Sequence, residues 1–286
     1  MRIVVTGANG QLGQDVVKLL RAKHEVHGLG REQLDITNES QCLEVLKALK
    51  PDVIIHSAAY TAVDLAETEE AKAYRVNADG TKNLVVAAES IGAKFCYIST
   101  DYVFDGTAKS AYVEDDVTNP QSVYGKSKRA GEQHVQSLST KHFIVRTSWV
   151  YGMYGANFVK TMLNLAKTRD SLKVVSDQFG SPTYTVDLAL FLENLIQTEL
   201  YGVYHASNSG VCSWHDFACA IFEESGVKIK VESCTTEEFP RPAPRPRNSA
   251  MDHRAIRANG FEDLRPWREG LRAFLKELGE SKDENG

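Results

Sequence analysis

The chain has 286 residues, 42% hydrophobic and 25% charged, with a formal net charge of −5, the balance of a globular protein long enough to bury a full core. That charge excludes a broad electrostatic attraction to nucleic acid or anionic lipid, and no stretch approaches the roughly 20 apolar residues that cross a bilayer. The five cysteines, Cys42, Cys96, Cys212, Cys219 and Cys234, are odd in number and lack CxxC spacing, so reduced thiols are expected rather than a disulfide framework or a zinc site.

Met1-Arg2 leads into the apolar run Ile3-Val4-Val5, which stops at Thr6-Gly7. The run is too short for a signal peptide, and a cytoplasmic protein is expected. Arg2–Thr6 reads as a strand and residues 11–23 as a helix with Leu12, Val16, Leu19 and Leu20 on one face. Between them lies Gly7-Ala8-Asn9-Gly10-Gln11-Leu12-Gly13. Glycines at this position allow a tight turn and bring backbone amides and a helix N-terminus to a pyrophosphate. A plain strand-to-helix turn would need no such spacing, so Gly7, Gly10, Gln11, Leu12 and Gly13 are expected to hold a dinucleotide.

Residues 24–29 form the second expected strand, which ends at Gly28-Leu29-Gly30-Arg31. A ribose with a free 2′-hydroxyl calls for an acid there. Arg31 can instead pair with a 2′-phosphate, which favours NADPH, with NADH as the alternative and a solvated arginine as the plainer reading. Asp35 and Ile36 follow at the place of the adenine. A helix over residues 40–49 stops before Pro51, and residues 52–56 read as the third strand. Ala59, Tyr60 and Thr61 then lie on the path toward the ribose and nicotinamide.

Helical periodicity runs over residues 69–91 through Tyr74, Leu84, Val85 and Ala88, with a bend expected at Gly80 and a cap at Gly92. Residues 94–99 are the fourth strand, after which the Thr100 hydroxyl can bond a substrate carbonyl. The helix expected over residues 123–137 opens with Tyr124-Gly125-Lys126-Ser127-Lys128. Its i,i+4 spacing places Tyr124 and Lys128 on one face. A phenol of ordinary pKa near 10 is protonated at neutral pH and can act as a general acid. An ammonium beside it is expected to lower that pKa by stabilising the phenolate. A core tyrosine with a surface lysine would show the same spacing, so the context of Thr100 and the glycine turn matters.

His142–Thr147 completes a repeated strand–helix pattern that calls for a Rossmann-type, doubly wound parallel α/β sheet with helices on both faces. Beyond Trp149 the rhythm loosens, with helices expected at 158–166, 186–196 and 214–224 and short strands at 172–175 and 203–205. Residues 240–247, Pro-Arg-Pro-Ala-Pro-Arg-Pro-Arg, form an irregular loop. A last helix is expected at 267–278, followed by a frayed end over 279–286. The expected division is a nucleotide-binding domain over residues 1–150, also receiving 185–206, and a smaller C-terminal α/β substrate-binding lobe over 151–286.

The glycine turn, the Ser/Thr after the fourth strand and the YxxxK pair together resemble the extended short-chain dehydrogenase/reductase family over almost the whole chain. The segments around Ala58-Ala59-Tyr60-Thr61, Ser99-Thr100-Asp101-Tyr102, Arg146-Thr147-Ser148-Trp149 and Asp177-Gln178-Phe179-Gly180 are similar to the branch of that family that completes dTDP-L-rhamnose synthesis. Related dehydratases carry Thr-Asp-Glu where this chain has Thr100-Asp101-Tyr102. The resemblance implies NAD(P)H-dependent reduction of a 4-keto group on a dTDP-sugar, with Tyr124 as acid, Lys128 tuning it and Thr100 polarising the carbonyl. It implies further that Asp101 and Trp149 meet the sugar, although core packing also accounts for Trp149.

Arg241, Arg245 and Arg247 are expected to face the diphosphate, with Arg247 as the chosen contact; a solvated loop or a PxxP ligand is the competing reading. Some relatives bind Mg²⁺ through a glutamate of the first helix, where this chain has only Asp15, so no metal is expected. His56, His205 and His215 read as packed or exposed rather than ligating. A homodimer stays open. The competing functions are another nucleotide-sugar epimerase or dehydratase, and a non-catalytic subunit like the regulatory one of methionine adenosyltransferase.

Overall fold

A computed structural model describes residues 1–283. Its centre is a six-stranded, all-parallel sheet in the order β10-β5-β4-β3-β1-β2, with β1 Arg2–Thr6, β2 Glu25–Leu29, β3 Val53–His56, β4 Lys94–Thr100, β5 His142–Thr147 and β10 Gly202–His205. The strand order reverses at β1, where β2 lies on one side and β3 on the other. Doubly wound sheets open a crevice at such a point, beyond the carboxyl ends of the strands.

One face of the sheet is covered by α1 (Gln11–Leu20) and α8 (Thr185–Ile196), whose Val16, Leu20, Leu188 and Leu192 pack on Ile3, Val5, Ile55 and Val145. The other face is covered by α2 (Glu39–Leu49), α5 (Thr81–Ser90) and α6 (Val123–Leu138), with Leu46, Leu84 and Val135 packed on Val4, Ile54 and Phe95. Strands buried on both faces explain the near-continuous apolar runs Ile3-Val4-Val5 and Val53-Ile54-Ile55.

The helical pattern over residues 69–91 is resolved into three pieces. Between α3 (Val63–Ala66) and α5 come α4 (Glu70–Tyr74) and a π-helical segment, Arg75–Gly80. The expected bend at Gly80 is thus a six-residue π turn, and a Cβ at Gly80 would lie 2.8 Å from the Ile36 side chain.

The remaining elements build a second core. They are β6 (Val150–Tyr151), α7 (Phe158–Leu165), β7 (Ser171–Val175), β8 (Phe179–Gly180), β9 (Thr183–Tyr184), β11 (Cys212–Ser213), α9 (Trp214–Ser225), β12 (Lys230–Cys234) and α11 (Trp267–Asp283), whereas α10 (Arg254–Ala258) packs Ile256 into the core of the large sheet beside β10. Tyr151, Phe217, Ile221 and Phe274 are buried together there. The chain crosses back to supply α8 and β10 to the large sheet. Residues 279–283, expected to fray, instead continue α11, and residues 284–286 of that expectation lie outside the described residues. Among the described residues no helix is long and apolar enough to cross a membrane.

Candidate active site above the sheet

A cleft of about 900 Å³ opens at the carboxyl ends of β1, β3, β4 and β5. Its floor is the glycine turn. Gly7 has φ +65°, and a Cβ there would lie 2.6 Å from the Ala58 nitrogen, so only glycine lets the β1 turn close on the loop after β3. Gly10 caps α1 without a side-chain hydrogen bond, which leaves the first-turn N–H groups at the cleft for an anion. Gln11 ties this turn to the second core: its Nε2 donates to the Val150 carbonyl at 3.1 Å and its Oε1 accepts from Asn157 at 2.9 Å. Leu12 and Gly13 also line the cleft.

Toward one end the walls are Arg31, Asp35, Ile36 and Thr37, joined by Lys72 and Arg75. Asp35 Oδ1 accepts from the Thr37 nitrogen at 3.0 Å and its hydroxyl at 2.7 Å, which holds the carboxyl below its ordinary range. Arg75 donates to Thr37 at 3.3 Å. Arg75 escaped the sequence reading because the π turn that it opens breaks the 3.6-residue period that places helical side chains on a face.

Ala59, Tyr60 and Thr61 line the middle of the cleft. Their loop is fixed by Asn77, whose Oδ1 accepts from the Tyr60 nitrogen at 2.8 Å and whose Nδ2 donates to the Tyr60 carbonyl and the Ser127 hydroxyl, both at 3.0 Å. Asn77 therefore links this loop to α6. Its one legible signal was a poor helix former inside a helical pattern.

Thr100, Asp101, Tyr124 and Lys128 converge on the opposite wall. Ser122 caps α6 by accepting from the Gly125 nitrogen at 3.1 Å. A Cβ at Gly125 would lie 2.3 Å from the Tyr102 carbonyl, so this glycine admits the Asp101–Val103 turn to the first turn of α6. The rings of Tyr102 and Tyr124 meet edge to face at 5.5 Å. Thr100 donates to Asp101 Oδ1 at 3.0 Å and accepts from the Tyr102 nitrogen at 3.2 Å.

The electrostatics revise one expectation. Burial pushes the Tyr124 phenol up to about 12, with a hydrogen bond to Thr100 pulling the other way. Lys128 does not offset this. Its Nζ donates to the Ile98 carbonyl at 2.7 Å and lies 4.2 Å from the Tyr97 ring centre. Burial pushes the ammonium down to about 7 against the pull of Glu132. Desolvation outweighs charge proximity here, and the phenol keeps its proton throughout the neutral range. Burial likewise pushes the Asp101 carboxyl up to about 6, opposed by Ser249 and Thr100.

Beneath this wall Glu132 is fully buried. It accepts from Ser99 at 2.6 Å, from two nitrogens of Arg146 at 2.8 Å each, and from Arg129 at 2.9 Å. This network locks α6 to β4 and β5, and the i,i+4 step from Lys128 to Glu132 was its only trace in the sequence.

Trp149 lines the cleft beside Ser148 and Val150. Arg247 does not. Its guanidinium pairs with Glu237 at 2.7 Å on the surface, while Arg245 and Arg241 turn to Asp64 at 2.9 and 3.8 Å. Asp64 also accepts from the Ala243 nitrogen at 3.2 Å. Nearby carboxylates take up the loop's positive charge, so three free guanidiniums facing the cleft is not the arrangement found.

His56 is buried between the Thr6 and Thr81 hydroxyls at 2.8 and 2.9 Å, and His205 is buried against Tyr112 and Asp252. His215 is half-buried beside Cys219, and the five cysteines are free thiols. Asp15 is buried and accepts from Thr185. Among the described residues no group of three or more His, Cys, Asp and Glu is placed to hold a metal.

Over residues 1–280 the chain matches the protein-family model described as RmlD substrate binding domain. It is 45% identical over 283 residues to the spore coat polysaccharide biosynthesis protein SpsK of Bacillus subtilis (strain 168), covering 99% of both chains. It is 46% identical over 265 residues to a dTDP-4-dehydrorhamnose reductase of Aggregatibacter actinomycetemcomitans, covering 88% of this chain and 90% of that one. Among solved structures, a dTDP-4-dehydrorhamnose reductase from Bacillus anthracis str. Ames in complex with NADP superposes with a TM-score of 0.95 at 49% identity. That match covers 96% of this chain and 99% of the other.

Proposed function

The chain belongs to the RmlD substrate binding domain family, and on that footing we propose that it reduces the 4-keto group of dTDP-4-dehydro-L-rhamnose to dTDP-L-rhamnose with NADPH. The observation that carries the reading is the convergence of Thr100, Tyr124 and Lys128 on one wall of a cleft whose floor is the glycine turn. The neighbouring residue is Tyr102, which offers no carboxylate for the acid–base steps of a dehydratase.

The cleft suits a dinucleotide phosphate. The uncapped N-terminus of α1 fits a pyrophosphate, and Arg31 with Arg75 offers two guanidiniums to a ribose 2′-phosphate. Bound NADPH supplies the hydride. Tyr124, buried and protonated, gives its proton to the C4 oxygen as negative charge develops there, and the Thr100 hydroxyl turns from Asp101 Oδ1 to donate to the same oxygen. Lys128, held on the Ile98 carbonyl in the same wall, is the cation available to the phenolate that this transfer leaves, and its charge is fullest below about pH 7. Asp101 and Trp149 bound the space for the sugar.

The test is an absorbance assay of NADPH with dTDP-4-keto-L-rhamnose generated in situ. Stoichiometric oxidation of NADPH and appearance of dTDP-L-rhamnose are expected; no oxidation with this sugar nucleotide would reject the assignment.

A further inference from the structure

Trp149 adopts φ +48°, in the left-handed region that a bulky residue seldom enters. Its backbone is held there from several sides. The Thr183 nitrogen donates to the Trp149 carbonyl at 3.1 Å, the Thr183 hydroxyl to the Ser148 carbonyl at 2.6 Å, and Val150 pairs with Thr183 between β6 and β9. Unusual backbone that is over-determined in this way marks a side chain whose aim matters.

The indole is held as firmly. Trp214 stacks on it with ring centres 3.6 Å apart and planes 11° from parallel. Trp214 opens α9 behind a complete Ser213–Asp216 capping box and is backed by Phe158 at 4.7 Å. On another side Gly180 leaves no room: a Cβ there would lie 2.7 and 2.8 Å from Trp149 Cε2 and Cζ2. Trp149 lines the cleft, whereas Trp214 and Gly180 do not.

We infer that Trp214 and Gly180 are positioning residues for substrate binding, forming a slot that fixes the Trp149 indole where the sugar nucleotide is received. The inference rests on the reductase reading given above for the ligand, and on the stack itself for the slot. An aromatic stack contributes to binding only through the indole it orients, so its loss moves sugar affinity and leaves the cofactor end of the cleft alone.

The experiment compares Trp214→Ala, Trp214→Phe, Gly180→Ala and Trp149→Ala in the full chain. Trp214→Ala is expected to raise the KM for the dTDP-keto sugar about three- to tenfold, the scale of one aromatic stack, with the KM for NADPH unchanged. Trp214→Phe restores most of the loss. Gly180→Ala crowds the indole and, at 2.7 Å, the Ser249 hydroxyl; it raises the same KM, and should Trp214→Ala fail to fold, the circular dichroism of the indole pair decides the matter.

Wild-type sugar KM in folded Trp214→Ala and Gly180→Ala, with Trp149→Ala impaired, would overturn the inference; so would equal losses for sugar and NADPH. A second readout needs no substrate. Stacked indoles give an exciton couplet in circular dichroism, expected in the wild type, absent in Trp214→Phe and altered in Gly180→Ala. An unaltered couplet in Gly180→Ala overturns the slot, whereas a wild type that oxidises no NADPH but shows these spectral changes sinks only the assignment of the reaction.

Discussion

Lys128 Nζ donates to the Ile98 carbonyl at 2.7 Å from a position almost closed to solvent. Burial holds the ammonium down to about 7, so the folded protein binds this proton less tightly than the unfolded chain. Between about pH 7 and the ordinary lysine value the unfolded chain carries more protons, and stability therefore rises with pH across that window. Below pH 7 both states are protonated and the whole cost of burying the charge is present. Lys128→Met is expected to be more stable than the wild type by a few kcal/mol at pH 6. The difference shrinks toward pH 10, while turnover is lost. Urea unfolding at pH 6, 8 and 10 checks this, and a gap that does not change with pH would contradict it.

Tyr124→Phe removes the proton and keeps the ring against Tyr102. Turnover is expected to fall by about 10²–10⁴-fold, the scale of a lost general acid, with NADPH affinity nearly unchanged. Because the phenol is pushed up to about 12, its own ionisation should leave no limb in the kcat profile between pH 6 and 9. Single-turnover rates and cofactor titration read the two effects separately; wild-type turnover in the phenylalanine variant would remove Tyr124 from the mechanism.

Arg31 lines the cleft and its charge helps to hold the Asp35 carboxyl below its ordinary range. Arg31→Ala should weaken NADPH about tenfold, the scale of one charge-assisted contact to phosphate, and leave NADH close to its wild-type affinity. Arg75→Ala should act in the same direction. Fluorescence titration with both cofactors measures the ratio, and equal losses for the two would place the guanidinium away from the 2′-phosphate.

The parallel sheet was legible because it is built from local signals. Apolar runs such as Val53-Ile54-Ile55 and the glycine turn each announce themselves within a few residues. The Tyr124–Lys128 spacing was legible for the same reason. What stayed hidden depends on contacts distant in sequence: the Glu132–Arg146 pair across 14 residues, the Asp64–Arg245 pair across 181, and the stack of Trp149 on Trp214. The lowering of the Tyr124 pKa expected from its lysine neighbour is reversed by burial, because spacing shows which groups are neighbours and not how much water surrounds them. The positive charge of the 240–247 loop was visible in the sequence, but the carboxylates that absorb it were not.

Glu132 supplies the sharpest test of how the wall beneath Tyr124 is held. It is fully buried and accepts from Ser99, Arg129 and both sides of the Arg146 fork. Breaking such a pair leaves the Arg146 guanidinium buried without its counter-charge, which costs about 3–5 kcal/mol. Glu132→Gln keeps the shape and removes the charge, so it should lose stability on that scale while still folding. It should also act on catalysis without touching substrate. The Glu132 carboxylate raises the Lys128 pKa against burial, and its loss must lower that pKa below about 7. The pH at which Lys128 discharges then moves to the acid side, and the alkaline limb of kcat/KM moves with it. Urea unfolding and the Lys128 titration followed by heteronuclear NMR measure the two effects independently. A loss under about 1 kcal/mol, below the range for a broken buried pair, would show that Arg146 finds another partner. An unmoved lysine titration would show that desolvation alone sets its charge.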